Sequence, residues 1–159
     1  MVRLRLQGVI KMEHNKPHAH RLRKGRHSQP GQVYLITVVT TGRQRFFDDF
    51  SAARVLIGHL KKETDLRRAS TLAYVLMPDH LHWLMQLMSD APLSQTVRAV
   101  KSLTTHHLGH PIWQRGYHDH AVRNDEDLKA MARYIIANPV RAGLVSSVSD
   151  YPHWDAMWL

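Results

Sequence analysis

The stretch MPDHLHWLMQL, residues 77 to 87, places His80 and His82 two positions apart at the start of a hydrophobic run. In an extended strand alternate side chains share a face, so the two imidazoles stand side by side while Leu81 turns to the opposite, buried face. Leu84 and Gln86 continue the histidine row. Two imidazoles presented together are half of a metal site, suited to Mg, Mn, Zn or a similar ion according to what completes it. The chain has thirteen histidines and no cysteine, so thiolate sites, disulfides and cysteine nucleophiles are excluded and any metal must rest on His, Asp, Glu, Asn, Gln or water. Other closely spaced histidine pairs occur in HAH (His18, His20), HHL (His106, His107) and HDH (His118, His120). Only the pair at 80 and 82 follows a Pro-Asp turn inside a hydrophobic hairpin, where packing has no use for polar side chains.

A second constellation lies in LKAMARYIIANPV. Tyr134 and Asn138 are four residues apart, which on a helix brings both to one face of the last turn. With a histidine pair and a basic surface, they suggest a nucleophile, an amide oxygen as third ligand, and a bound phosphate. A phenol with pKa near 10 is a poor nucleophile at neutral pH, and a helix C-terminus disfavours the phenolate further. Cations must compensate: a divalent ion, with Arg123, Arg133 or Arg141 as candidates to add positive potential.

These groups need elements to hold them. QVYLITVVT, residues 32 to 40, is β-branched, aromatic and bounded by Gly31 and Gly42, so it predicts a buried strand. Residues 51 to 68 place Val55, Leu56, His59 and Leu60 on one side of an amphipathic helix. STLAYVLM (70 to 77), Pro78-Asp79 and HLHWLMQLM (80 to 88) read as a hairpin. A second helix is expected over 93 to 108, with Leu93, Val97, Val100 and Leu103 inward. Residues 110 to 123 read as a loop with a short strand. A third helix opens with Asn124 as cap and Asp127 at the capping-box position, shows an apolar face of Leu128, Met131, Ala132 and Ile135, and stops at Asn138-Pro139. A final strand is expected over 143 to 148, and the aromatic tail YPHWDAMWL is expected to pack back on the body. The order makes an α+β domain: a mainly antiparallel sheet with flanking helices.

The chain is 159 residues long, enough for one domain, here placed at 32 to 159 behind a basic arm at 1 to 31. Its 22 Lys and Arg against 13 Asp and Glu give a net charge of +9, which points to a polyanionic partner, most often nucleic acid. Phosphate contacts are expected from Arg21, Arg23, Lys24 and Arg26 in the arm RLRKGR, and from Arg98, Lys101 and Arg123; Trp113 and Tyr117 are candidates for base stacking or for the core. No run of eighteen apolar residues and no signal peptide is visible, so no membrane partner and a cytoplasmic location are the default.

The ordered segments RLRKGR, QPGQVYLITVVT, MPDHLHWLMQL, IWQRGYHDHAVRNDEDL and RYIIANPVRAGLV resemble the REP-associated tyrosine transposases, relatives of the single-tyrosine transposases in the HUH endonuclease superfamily. The resemblance runs from about residue 20 to the C-terminus; the first eleven residues fall outside it, and Met12 is a candidate start. It implies a ferredoxin-like or RRM-like sheet, with His80 and His82 as metal ligands on a central strand and Tyr134 as nucleophile on a helix alongside. Asn138 matches a polar position one turn beyond that tyrosine, where residue type varies in relatives. Further implications are a Mg or Mn cofactor, single-stranded or hairpin DNA of REP-like palindromes as partner, a 5′-phosphotyrosine intermediate, and a bacterial protein associated with the nucleoid when on DNA. Two other readings fit the residues: a nucleic-acid-binding module whose histidines are structural, and a His-metal hydrolase that works through water.

Overall fold

A computed structural model describes residues 28 to 158. The expected arm at 1 to 31, with Arg21, Arg23, Lys24 and Arg26, therefore falls almost wholly outside the described residues.

Strand β1 (Val33–Val39) leads through two 3₁₀ turns to helix α1 (Phe50–Asp65), which is followed by β2 (Ala69–Met77), β3 (His80–Leu87) and helix α2 (Leu93–Leu108). Then come the short β4 (His118–Ala121), helices α3 (Leu128–Ile136) and α4 (Asn138–Arg141), and β5 (Trp154–Ala156). The strands form one sheet in the order β4-β1-β3-β2-β5, every neighbouring pair antiparallel. Without β5 this is the ferredoxin-like split βαβ arrangement, in which β3 sits between the parallel β1 and β2. The domain is α+β, as the order of segments predicts.

Alternation divides each strand between two cores. Tyr34, Ile36 and Val38 of β1 and Leu81, Trp83, Met85 and Leu87 of β3 pack under α1 and α2. Leu35 and Leu84 face the other way, with Ala73, Val75 and Met77 of β2, against Ala132, Ile135 and Ile136 of α3. His80 and His82 belong to this second row, so the histidines share their face of the sheet with α3. At nine residues α3 is too short to be stable alone. Burial of Ile135 and Ile136, worth about 2 kcal/mol each, pins it to the sheet, and with it the tyrosine it carries.

Several local expectations need correction. Asp127, not Asn124, caps α3, its carboxylate accepting from Ala130 N at 3.0 Å. Asn124 lies in the turn before it. Helix α1 ends at Asp65 rather than 68, because Arg67 adopts φ +56° just beyond the C-cap Leu66. Asp49, unremarked in the sequence, is its N-cap, accepting from Ala52 N at 3.1 Å. Asn138-Pro139 does not end helical structure: Pro139 sits in the first turn of α4, where its missing N–H costs nothing. No strand forms over 143 to 148; Gly143 at φ +73° closes a turn and Leu144 is exposed. The place at the edge of β2 goes to Trp154–Ala156 of the tail, which packs back as expected. Trp113 and Tyr117 lie against the first core, and Trp113 Nε1 donates to Lys101 O. They are packing residues. Among the described residues no helix is long and apolar enough to cross a membrane.

Candidate active site

The turn that delivers His80 is built in an unusual way. Met77 pairs with His80, leaving Pro78 and Asp79 as a two-residue hairpin loop. Proline fixes φ near −65°, which excludes the primed turns whose twist normally suits so short a loop. The connection after β1 bolts it in place. Thr40 N donates to Asp79 O at 2.9 Å, Phe47 N donates to Pro78 O at 3.0 Å, and the Thr40 hydroxyl lies 2.7 Å from Gln44 O and 3.0 Å from Asp79 O.

Each imidazole is held through its Nδ1. Asp79 Oδ1 lies 2.7 Å from His80 Nδ1, and Thr37 Oγ1 lies 2.9 Å from His82 Nδ1. The ring centroids are 4.8 Å apart and the planes nearly perpendicular, at 82°. His82 is only 6% exposed. Burial first, then the neighbouring charges of His80, Arg141 and Arg43, push its pKa down to about 3, so at neutral pH it is an uncharged imidazole, the form that ligates metal. Hydrogen bonds that occupy both Nδ1 atoms leave Nε2 as the ligand atom, which is how metal-binding histidines are ordinarily oriented.

Asn138, on the first turn of α4, reaches the same place. Its Nδ2 lies 3.5 Å from His80 Nε2, while its Oδ1 accepts from Arg141 Nη2 at 3.4 Å. Both contacts are long; a half-turn of the amide presents oxygen to the histidines and gives up the bond from Arg141, because Nδ2 cannot accept. The donor set is thus two imidazole nitrogens and one amide oxygen, which fits a divalent ion of the Mg, Mn or Zn class. Among the described residues no group of three His, Cys, Asp or Glu could hold a metal ion.

Tyr134 lies one turn before Asn138 and is 48% exposed. The Arg141 guanidinium stacks over its ring, 4.0 Å from the centroid, and the same group donates to Asn138. Arg141 therefore joins the phenol to the amide that meets His80. It also sets a positive charge over a tyrosine near the negative end of α3.

The remaining expected contacts are placed elsewhere. Lys101 Nζ donates to Gln114 O at 3.0 Å and Gly116 O at 2.7 Å, so it anchors the loop before β4. Arg123 is exposed beside Asp125 and Glu126. His118 and His120 face the same side as His80 and His82, since Thr37 is opposite both His82 and His118. His120 Nε2 lies 3.0 Å from both Glu126 oxygens and ties β4 to the approach of α3. Sequence reasoning missed Asp79 and Thr37 as partners of the histidines. Asp79 could have been found from its adjacency to His80; Thr37 depends on the register between β1 and β3.

Residues 28–138 match the family model described as "Transposase IS200 like", a span that includes His80, His82, Tyr134 and Asn138. The chain belongs to the IS200-like transposase family. Relatives narrow the group. Over 82 residues it is 39% identical to a REP-associated tyrosine transposase of Escherichia coli, the match covering 50% of each chain. It is 28% identical over 144 residues to a Haemophilus influenzae protein named for the same class, covering 77% of this chain and 78% of that one. Among solved structures, a REP-associated tyrosine transposase bound to a REP hairpin superposes with TM-score 0.71 at 30% identity, covering 81% of this chain and 79% of the other. The chain thus shares its fold with a REP-associated tyrosine transposase, while its match to the E. coli relative spans about half of that protein's length.

Proposed function

We propose that the protein cleaves and rejoins single-stranded DNA beside a hairpin, using Tyr134 as nucleophile. The observation that carries this reading is convergence: Arg141 stacks on Tyr134 and donates to Asn138, and Asn138 meets His80, whose ring adjoins that of His82. Residues from β3, α3 and α4 meet at one place on the sheet, and packing alone asks for none of them there. A hairpin as substrate is supported by the structural relative solved with a REP hairpin and by the net charge of +9.

His80, His82 and Asn138 would hold a divalent ion, Mg or Mn, which when bound polarises the scissile phosphate and fixes its orientation. The Tyr134 oxygen attacks phosphorus in line, its bond to phosphorus forms, and the bond from phosphorus to the 3′ oxygen breaks. The phenolic proton is balanced by protonation of the departing 3′ oxygen. Arg141, stacked over the Tyr134 ring, holds the phenol in place. The products are a 5′-phosphotyrosine and a free 3′-hydroxyl. Because the covalent link keeps the phosphodiester's energy, another 3′-hydroxyl can reverse the step and join a new strand without ATP. Thr37 and Asp79 keep the imidazoles in the ligand orientation.

Denaturing electrophoresis of the protein with an end-labelled single-stranded hairpin and Mn, with and without EDTA, tests the proposal. A labelled band at the mass of protein plus DNA, lost with EDTA, is expected. Retention of DNA that ignores EDTA and forms no such band would make the protein a binding module. EDTA-sensitive cutting with free products only would make it a His-metal hydrolase.

A further inference from the structure

Arg43 has a backbone conformation its side chain does not favour. Gly42 and Arg43 have φ +58° and +54°, and Gln44 N donates to Thr41 O at 3.1 Å, so Thr41 to Gln44 form a tight turn with two left-handed central residues. Glycine, asparagine and aspartate dominate such positions, and an ordinary side chain is strained there. The only other non-glycine with positive φ among the described residues is Arg67. That one has a structural cause, the end of α1, where Arg68 N returns to Glu63 O. Arg43 has no helix end to explain it.

Its surroundings suggest a purpose. The turn belongs to the connection that Thr40 and Phe47 bolt to Pro78-Asp79, so it is fixed relative to His80. Asp79 is shared: Oδ1 holds His80 Nδ1 at 2.7 Å, and Oδ2 takes a single, long contact of 3.4 Å from Arg43 Nη1. Nearby Arg45 is committed, with Nε and Nη2 on the two Asp48 oxygens at 2.7 and 3.2 Å. Arg43 is held loosely enough to accept a second anion, and its side chain is 44% exposed. Its field reaches His82, as does that of Arg141. The two guanidiniums approach the histidine pair from different elements, Arg141 from α4 and Arg43 from the β1–α1 connection.

We propose that Arg43 is a phosphate-binding residue of the active site, held by Asp79 so that its free guanidinium edge takes the DNA phosphodiester adjoining the one that is cut. This rests on the functional reading above and extends it. Strain is tolerated at Arg43 because a rigid, left-handed turn aims a long cationic side chain that a relaxed loop would leave mobile.

The test uses the full chain carrying Tyr134→Phe, so that binding is read without cleavage, and a single-stranded hairpin oligonucleotide titrated at several salt concentrations. Adding Arg43→Asn, which suits the turn, should weaken binding about tenfold, the loss of one charged hydrogen bond. The slope of log affinity against log salt should fall in magnitude by about 0.7, one single-strand phosphate. The thermal midpoint should hold or rise. Arg43→Gly, relaxed at positive φ, should give the same loss, and Arg43→Lys should keep the slope. Unchanged affinity and slope in the Asn and Gly variants would overturn the assignment while leaving the functional reading intact. Failure of the Tyr134→Phe parent to bind the hairpin at all would overturn the functional reading, and this assignment with it.

Discussion

Replacing Thr37 with valine keeps the shape of the side chain and removes the hydroxyl 2.9 Å from His82 Nδ1. His82 is uncharged and 6% exposed, so the imidazole left behind has a ring N–H with neither partner nor ready access to water. Leaving one such donor unpaired costs about 2 kcal/mol, or roughly 4 to 8 °C in thermal midpoint for a domain of this size. A second cost would fall on the proposed metal ion. Without the hydroxyl nothing selects the tautomer that keeps Nε2 free, and loss of such a supporting contact weakens metal affinity by about 10 to 100-fold. Urea unfolding in EDTA measures the first effect, and the Mn concentration for half-maximal adduct formation measures the second. Thr37→Ser retains the hydroxyl and should recover most of both. If Thr37→Val leaves the Mn requirement within about twofold of wild type, the orientation argument behind that magnitude is wrong.

Stability should fall below neutral pH through His82. Its folded pKa of about 3 lies below the ordinary 6.5, so the unfolded chain takes up the proton first, and stability is lost as pH drops below about 6.5. Between pH 7 and 5 the loss from this residue is about 2 kcal/mol; His59 and His153 shift the same way, so the quantity to measure is the difference between wild type and His82→Gln in urea at the two pH values. Glu63→Ala removes a carboxylate that is wholly buried and bridged to Arg68 at 2.6 and 2.7 Å. Unfolding free energy should drop by about 2 kcal/mol, less than for a fully buried pair because Arg68 keeps part of its hydration. Asp127→Ala removes the cap of α3 and should cost about 1 kcal/mol, with a fall in adduct yield that Asp127→Asn largely restores.

The hairpin, the two long helices and the face shared by His80 and His82 were legible because each rests on local periodicity. Alternation alone sends Leu81 and Trp83 one way and the histidines the other. Tyr134 and Asn138 were legible as a pair through helical spacing, although the helix breaks into α3 and α4 between them. What was hidden depends on distant pairing. Thr37 reaches His82 only through the β1–β3 register, and Arg43 reaches Asp79 because backbone hydrogen bonds draw the loop after β1 onto the hairpin turn. The misplaced last strand shows the same limit. Residues 143 to 148 have suitable composition, but the open edge of β2 was filled by Trp154–Ala156, of which Trp154 and Ala156 also pack against the second core.

In the proposed reaction the Tyr134 oxygen becomes bonded to DNA phosphorus. Trypsin cutting after Arg133 and Arg141 releases residues 134 to 141 as one peptide, YIIANPVR. Mass spectrometry of the nuclease-trimmed and trypsin-digested adduct should find the nucleotide remnant on that peptide, attached at the tyrosine. A remnant on any other peptide, or an adduct that persists when Tyr134 is replaced by phenylalanine, would contradict the account.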